Sequence, residues 1–84
     1  MIISVLTPDR SVFEGSIQSV KVPGVSGEFE ILKGHAALVS ALKGGSVRII
    51  EENGTNKVFD IEKGFIEVLN DNISLLVQGV AKDS

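Results

Sequence analysis

The sequence predicts an all-β domain, and three observations carry that expectation. Eleven valines and nine isoleucines outnumber seven leucines and four alanines. Branching at Cβ restricts the side chain and suits a pleated surface better than a helix turn. The nine glycines and two prolines fall between the apolar runs, the punctuation of many short strands. Strand candidates also recur about every eight to ten residues, the spacing of a sandwich or flattened barrel.

Taken in order, Ile2–Thr7 reads as an opening strand stopped by Pro8, which has no N–H to give to a ladder. Val12-Phe13 starts the next run, and Ile17–Val22 follows with Val20 and Val22 on one face. Ile17 has the opposite parity, so burying it with that pair calls for a β-bulge near Gln18-Ser19. Pro23-Gly24 and Ser26-Gly27 frame a turn, after which Phe29 and Ile31 alternate with Glu28 and Glu30, apolar inward and acidic outward. Ala36–Leu42 fits a strand or a single turn, because Leu38 and Leu42 have helical spacing while Leu38, Ser40 and Leu42 share one strand face. Val47–Glu51 and Lys57–Ile61 flank Asn53-Gly54, for which a type I′ turn with two positive φ angles is expected. Phe65–Leu69 and Ile73–Gln78 flank a second hairpin turn at Asn70-Asp71-Asn72, residue types that favour tight turns.

Eighty-four residues are enough for one domain, expected over 1–84, with a thin core. The net charge of −3 and pI near 5.0, with scattered basic residues, argue against a nucleic-acid partner. There is no cysteine, which removes disulfide and thiol chemistry, and His35 alone makes no multi-histidine metal site. No apolar run approaches the ~18–20 residues of a membrane span. Met1-Ile2-Ile3-Ser4 lacks the basic start of a signal peptide, so a reducing, cytosol-like compartment is expected and the sequons at Asn53 and Asn72 read as turns.

No catalytic constellation emerges. Gly24-Val25-Ser26-Gly27 is not a G-x-S-x-G elbow and has no strand-to-helix context. Lys43-Gly44-Gly45-Ser46 has the residues of a phosphate loop in the wrong order. Glu51-Glu52 are strand neighbours that point to opposite faces, so they form no acid–base pair and belong to a hairpin tip. His35 has no evident orienting partner. No catalytic residue, metal, cofactor or small-molecule substrate is expected, and function is assigned to a surface. Two strands are apolar on both faces: Ile2 and Leu6 oppose Ile3 and Val5, and Phe65 and Leu69 oppose Ile66 and Val68. A thin sandwich cannot bury both faces alone, so one is expected to meet a partner.

The stretch Gly24-Val25-Ser26-Gly27-Glu28-Phe29-Glu30-Ile31-Leu32-Lys33-Gly34-His35-Ala36-Ala37-Leu38-Val39-Ser40-Ala41-Leu42 resembles the signature of the epsilon subunit of rotary F-type ATP synthases. Its later part typically reads G-E-F-G-I-L-P-G-H-A-P-L-L-T-A-L. Val5-Leu6-Thr7-Pro8 with Val12-Phe13-Glu14-Gly15 is similar to that family's opening, and Gly64–Val68 with Asn72–Leu76 to its closing strands. Glu30 stands where the family usually has glycine, and Lys33 and Ala37 where it usually has proline. These departures imply a different Glu30–Ala37 loop, with Glu30 and Lys33 placed to offset each other.

The resemblance implies a flattened ten-stranded β-sandwich of two mainly antiparallel sheets. It also implies a non-catalytic central-stalk subunit that binds the gamma subunit and rests on the polar loops of the c-ring, coupling ion flow to ATP synthesis. Such a subunit sits peripherally on the cytoplasmic face of the energy-coupling membrane. By position, Thr7, His35 and Ser40 match the gamma-facing side, while Ser26 and Glu28 in the Pro23–Glu30 turn match the c-ring contact. The helical hairpin of longer members, which blocks hydrolysis and in some binds ATP, would follow Ser84, and its activities are not carried over. Two other classes compete. A stand-alone ligand-binding sandwich would usually present aromatic platforms, and the chain has no Trp or Tyr. A small hydrolase using Ser26 or Ser40 with His35 would need a pocket and an orienting acid.

Overall fold

Alternation of small branched residues produces strands that bury every second side chain, and the computed structural model, describing residues 1–82, consists of nine of them with no helix. They are β1 (Ile2–Leu6), β2 (Ser11–Gly24), β3 (Gly27–Leu32), β4 (Leu38–Leu42), β5 (Gly45–Glu51), β6 (Asn56–Ile61), β7 (Lys63–Leu69), β8 (Asn72–Gln78) and β9 (Ala81–Lys82). All pairings are antiparallel except the parallel β1–β8 pair.

The 14-residue β2 organises the molecule. Its first half, Ser11–Ser16, pairs with β1 and so joins the layer β4-β7-β8-β1. Its second half runs between β3 and β5, in the layer completed by β6 and β9. The crossing is marked by a bulge: Ile17 opposes Glu51 and Ser19 opposes Ile50, leaving Gln18 as the extra residue. That bulge lets Ile17 turn inward with Val20 and Val22, all at most 1% exposed, as its parity required. The expected tenth strand is absent among the described residues because Val12-Phe13 and Ile17–Val22 are one continuous strand. The Ala36–Leu42 ambiguity resolves to β4, preceded by a turn at Gly34 with φ +82°.

Between the layers lie sixteen buried apolar side chains, all Val or Ile except Leu42, Phe59 and Leu75. Each stabilises the fold by roughly 1.5–3 kcal/mol relative to exposure. Ser19 is the one buried polar residue, and no buried side-chain polar atom lacks a partner among the described residues.

Two turns exchange their expected geometry. At Asn53-Gly54 only Gly54 has positive φ, at +90°. Its N–H donates to the Glu51 carbonyl at 2.8 Å while the Glu51 N–H donates to the Thr55 carbonyl at 2.8 Å. This is a type I turn closed by a glycine bulge, not type I′, because three residues lie between the hydrogen-bonded Glu51 and Thr55 and one left-handed residue suffices. The two-residue turn with two positive φ angles occurs instead at Asn70 (+50°) and Asp71 (+60°), between the paired residues Leu69 and Asn72.

Candidate protein interaction site

The two outer faces differ in chemistry. Across β3, β2 and β5, Glu30, Lys21 and Arg48 form one cross-strand row. Lys21 Nζ lies 3.5 Å from Glu28 Oε1, and Arg48 Nη2 lies 3.9 Å from Glu30 Oε2. Glu30 therefore pairs with Arg48 and not with Lys33. It sits in a regular ladder opposite Lys21, where glycine's conformational freedom is not needed. This face satisfies its charges internally.

The other outer face, on β4, β7, β8 and β1, carries an apolar row beside a polar one, in which Glu67 lies between Val39 and Ser74, and Ser74 opposes Ser4. Cross-strand register lines up Ala41, Phe65, Leu76 and Leu6 in one unbroken row. Phe65 is 57% exposed and Leu76 49% exposed. Val39, Leu69 and Ile2 are exposed beyond that row. A groove of about 600 Å³ opens over it, lined by Leu6, Thr7, Ala41, Lys63, Phe65 and Leu76 among others. The inward partners Ile3, Val5, Ile66 and Val68 are at most 1% exposed, so each strand serves the core with one side and presents apolar surface with the other.

The five residues matched to the family signature are spread over this frame. Thr7 lies at the groove, its Oγ1 2.8 Å from Asp9 Oδ1 and 3.1 Å from the Arg10 carbonyl. His35 lies at the opposite end of the layer, in the turn before β4. Its N–H donates to the Leu32 carbonyl at 3.1 Å, and Nδ1 is 2.7 Å from the Ala36 carbonyl oxygen. That turn is tied to the β7–β8 hairpin by the Gly34 N–H, which donates to Asp71 Oδ1 at 2.8 Å. Ser40 opposes buried Ile66 and so shares the inner face of β4, half-buried, with its Oγ 3.3 Å from the Ala41 carbonyl. The residues of β4 turned to the apolar outer face are Val39 and Ala41.

Ser26 occupies the exposed β2–β3 turn, and Glu28 follows it on β3, exposed and paired with Lys21. This turn is held against the end of β4: the Val25 N–H donates to the Ala41 carbonyl at 3.3 Å and the Lys43 N–H to the Pro23 carbonyl at 2.9 Å. His35 is joined to no serine hydroxyl, and no cluster of three His, Cys, Asp or Glu side chains occurs among the described residues. Val39 and Leu76 were not singled out by the sequence reading. The cue for Leu76 was the Leu75-Leu76 pair, which must place one leucine on each face.

A β-sandwich with one self-paired charged face and an exposed apolar row across the other has the surface of an interaction domain. The model of the β-sandwich domain of ATP synthase delta/epsilon chains matches residues 1–83, and the chain belongs to that family. It is an accessory chain of the synthase and not an enzyme in its own right. It is 40% identical over 79 residues to the ATP synthase epsilon chain of Chlorobium limicola, covering 94% of this chain and 90% of that one. It is likewise 40% identical over 75 residues to that of Campylobacter jejuni (strain RM1221), covering 89% of this chain and 58% of that one. Its fold is similar to a chain of the Euglena gracilis mitochondrial ATP synthase, with TM-score 0.90 at 19% identity over 98% of this chain and 52% of that one. A chain from the Tetrahymena thermophila central stalk and c-ring structure gives TM-score 0.80 at 17% identity, covering 98% and 66%. The chain thus spans about half the length of the Euglena chain.

Proposed function

We propose that this domain is a rotor subunit of the ATP synthase central stalk, joining the gamma subunit to the c-ring so that ion flow drives ATP synthesis. The observation that supports it most is the unbroken apolar row Ala41-Phe65-Leu76-Leu6 on the outer face, which a rotor subunit would give to gamma. Thr7 borders that face at one end and His35 at the other. The β2–β3 turn with Ser26 and Glu28 projects at the end of β4, and the polar loops of the c-ring are its proposed contact. In this reading the domain is peripheral, held at the cytoplasmic face of the energy-coupling membrane through the complex.

The test is complex formation with the gamma subunit of the same organism, followed by gel filtration and calorimetry. A stable one-to-one complex is expected, and the complex is expected to bind c-ring-containing membranes. A domain that stays separate from gamma at tens of micromolar overturns the reading.

A further inference from the structure

The apolar face ends in an unprotected strand edge. Strand β4 pairs with β7 along its whole length, while on its other side only the Leu42 end is covered, by the β2–β3 turn. The Val25–Ala41 and Lys43–Pro23 hydrogen bonds flank the Gly24–Leu42 pair, so Ala41 directs its carbonyl away from β7. Alternate residues of a strand direct their main-chain groups to the same side. The N–H and C=O of Val39, two residues earlier, therefore point to the open edge. Among the described residues, no turn or loop hydrogen bond engages either of them.

Sheet edges are ordinarily guarded by charges, prolines or bulges. The free edge of β3 carries Glu28 and Glu30, and the stretch of β6 that β9 leaves uncovered carries Lys57. Ala37-Leu38-Val39-Ser40-Ala41 has no charge and no proline, and from Leu38 on it has no register shift against β7. Ala37 also stands where proline is usual in the signature, which restores a donor at this position. Val39 is 70% exposed at this edge.

We propose that the β4 edge around Val39 takes up an extended strand of its partner by main-chain pairing, continuing the layer β1-β8-β7-β4 into the partner subunit. The occupant must be extended, because only a strand satisfies a row of alternating main-chain groups. It belongs to the partner of the apolar face, since Val39 lies on that face diagonal to Phe65 and Leu69. The inference rests on the proposed gamma contact and specifies its form.

Amide hydrogen exchange of the domain, alone and bound to gamma, reads this directly. The Val39 amide exchanges freely in the isolated domain and is slowed by about tenfold or more in the complex. Val39→Pro removes that donor while leaving the β7 ladder intact, since its N–H faces outward. It weakens gamma binding by about tenfold, which one or two strand hydrogen bonds carry. Val39→Ala, which keeps the N–H, weakens binding less than Val39→Pro. Each variant is used only with an unchanged melting curve, and the exchange measurement needs no variant. Gamma binding with a fast Val39 amide overturns the strand pairing alone, and a domain that does not bind gamma takes the functional reading down with it. A concentration-dependent dimer with Val39 protected in the absence of gamma assigns the edge to a second copy and overturns the proposal.

Discussion

Single atoms decide much in a chain this small. A Cβ built on Gly64 would lie 2.4 Å from the Leu76 carbonyl oxygen and 3.1 Å from Val77 Cγ1. The nearest obstacle is backbone, so two central strands would have to part. Gly64→Ala is expected to cost roughly 1–3 kcal/mol, and each kcal/mol lowers Tm by about 4–8 °C in a domain of this size. Gly15→Ala is the control. Its Cβ would meet only the tip of the Phe13 ring, at 3.3 Å, which can move, and its melting curve should shift much less. Paired thermal melts check both, and an equal shift would deny that the β7–β8 approach is the constraint. The same attention to direction separates Ser40 from Val39. Ser40 matches the family signature by position, yet it faces inward beside Ile66. A bulky charge there would disturb the core before it met any partner.

Alternation made most of the elements legible. Phe65–Leu69 and Ile73–Gln78 became β7 and β8, and the broken parity at Ile17 located the bulge. Turn geometry was less legible, because Asn-Gly suits more than one turn and loop length, not composition, chose between them at Asn53-Gly54. β9 was missed, since two residues, Ala81-Lys82, cannot show a period. The bulge makes a prediction that a regular strand would reverse. With Gln18 as the extra residue, Ile17 is inside and Gln18 outside, its Nε2 donating to the Glu52 carbonyl at 3.0 Å. Ile17→Asp should destabilise the domain by at least about 3 kcal/mol, combining lost burial with a buried unpaired charge. Gln18→Asp should cost no more than about 1 kcal/mol, the worth of one exposed hydrogen bond. Urea unfolding of both variants decides it. A strand without the bulge would tolerate the first and suffer from the second.

At the scale of the whole molecule, two layers share one core and divide the surface into unlike halves. That division was half legible: the sequence shows that Phe65 and Leu69 oppose a buried pair, but only cross-strand register joins residues from four strands into the row Ala41-Phe65-Leu76-Leu6. Binding and folding should therefore separate by face. Phe65→Ser and Leu76→Ser remove side chains that are 57% and 49% exposed, so the isolated domain should keep its stability within about 1 kcal/mol. If this face meets gamma, each substitution should cost binding about 2 kcal/mol or more, because large apolar groups at the centre of an interface carry most of its energy. The loss should change little with salt, since no charge is removed. Glu28→Lys on the opposite face should behave in the contrary way. It replaces an exposed ion pair with Lys21 worth about 0–1 kcal/mol by a like-charge contact, with little effect on gamma binding and a salt-dependent effect on docking to the ring. Calorimetry with gamma and sedimentation with ring-containing membranes, each at low and high salt, measure the two separately. Equal losses of gamma binding from both faces would mean that the apolar row is not the contact and that the division of the surface has another cause.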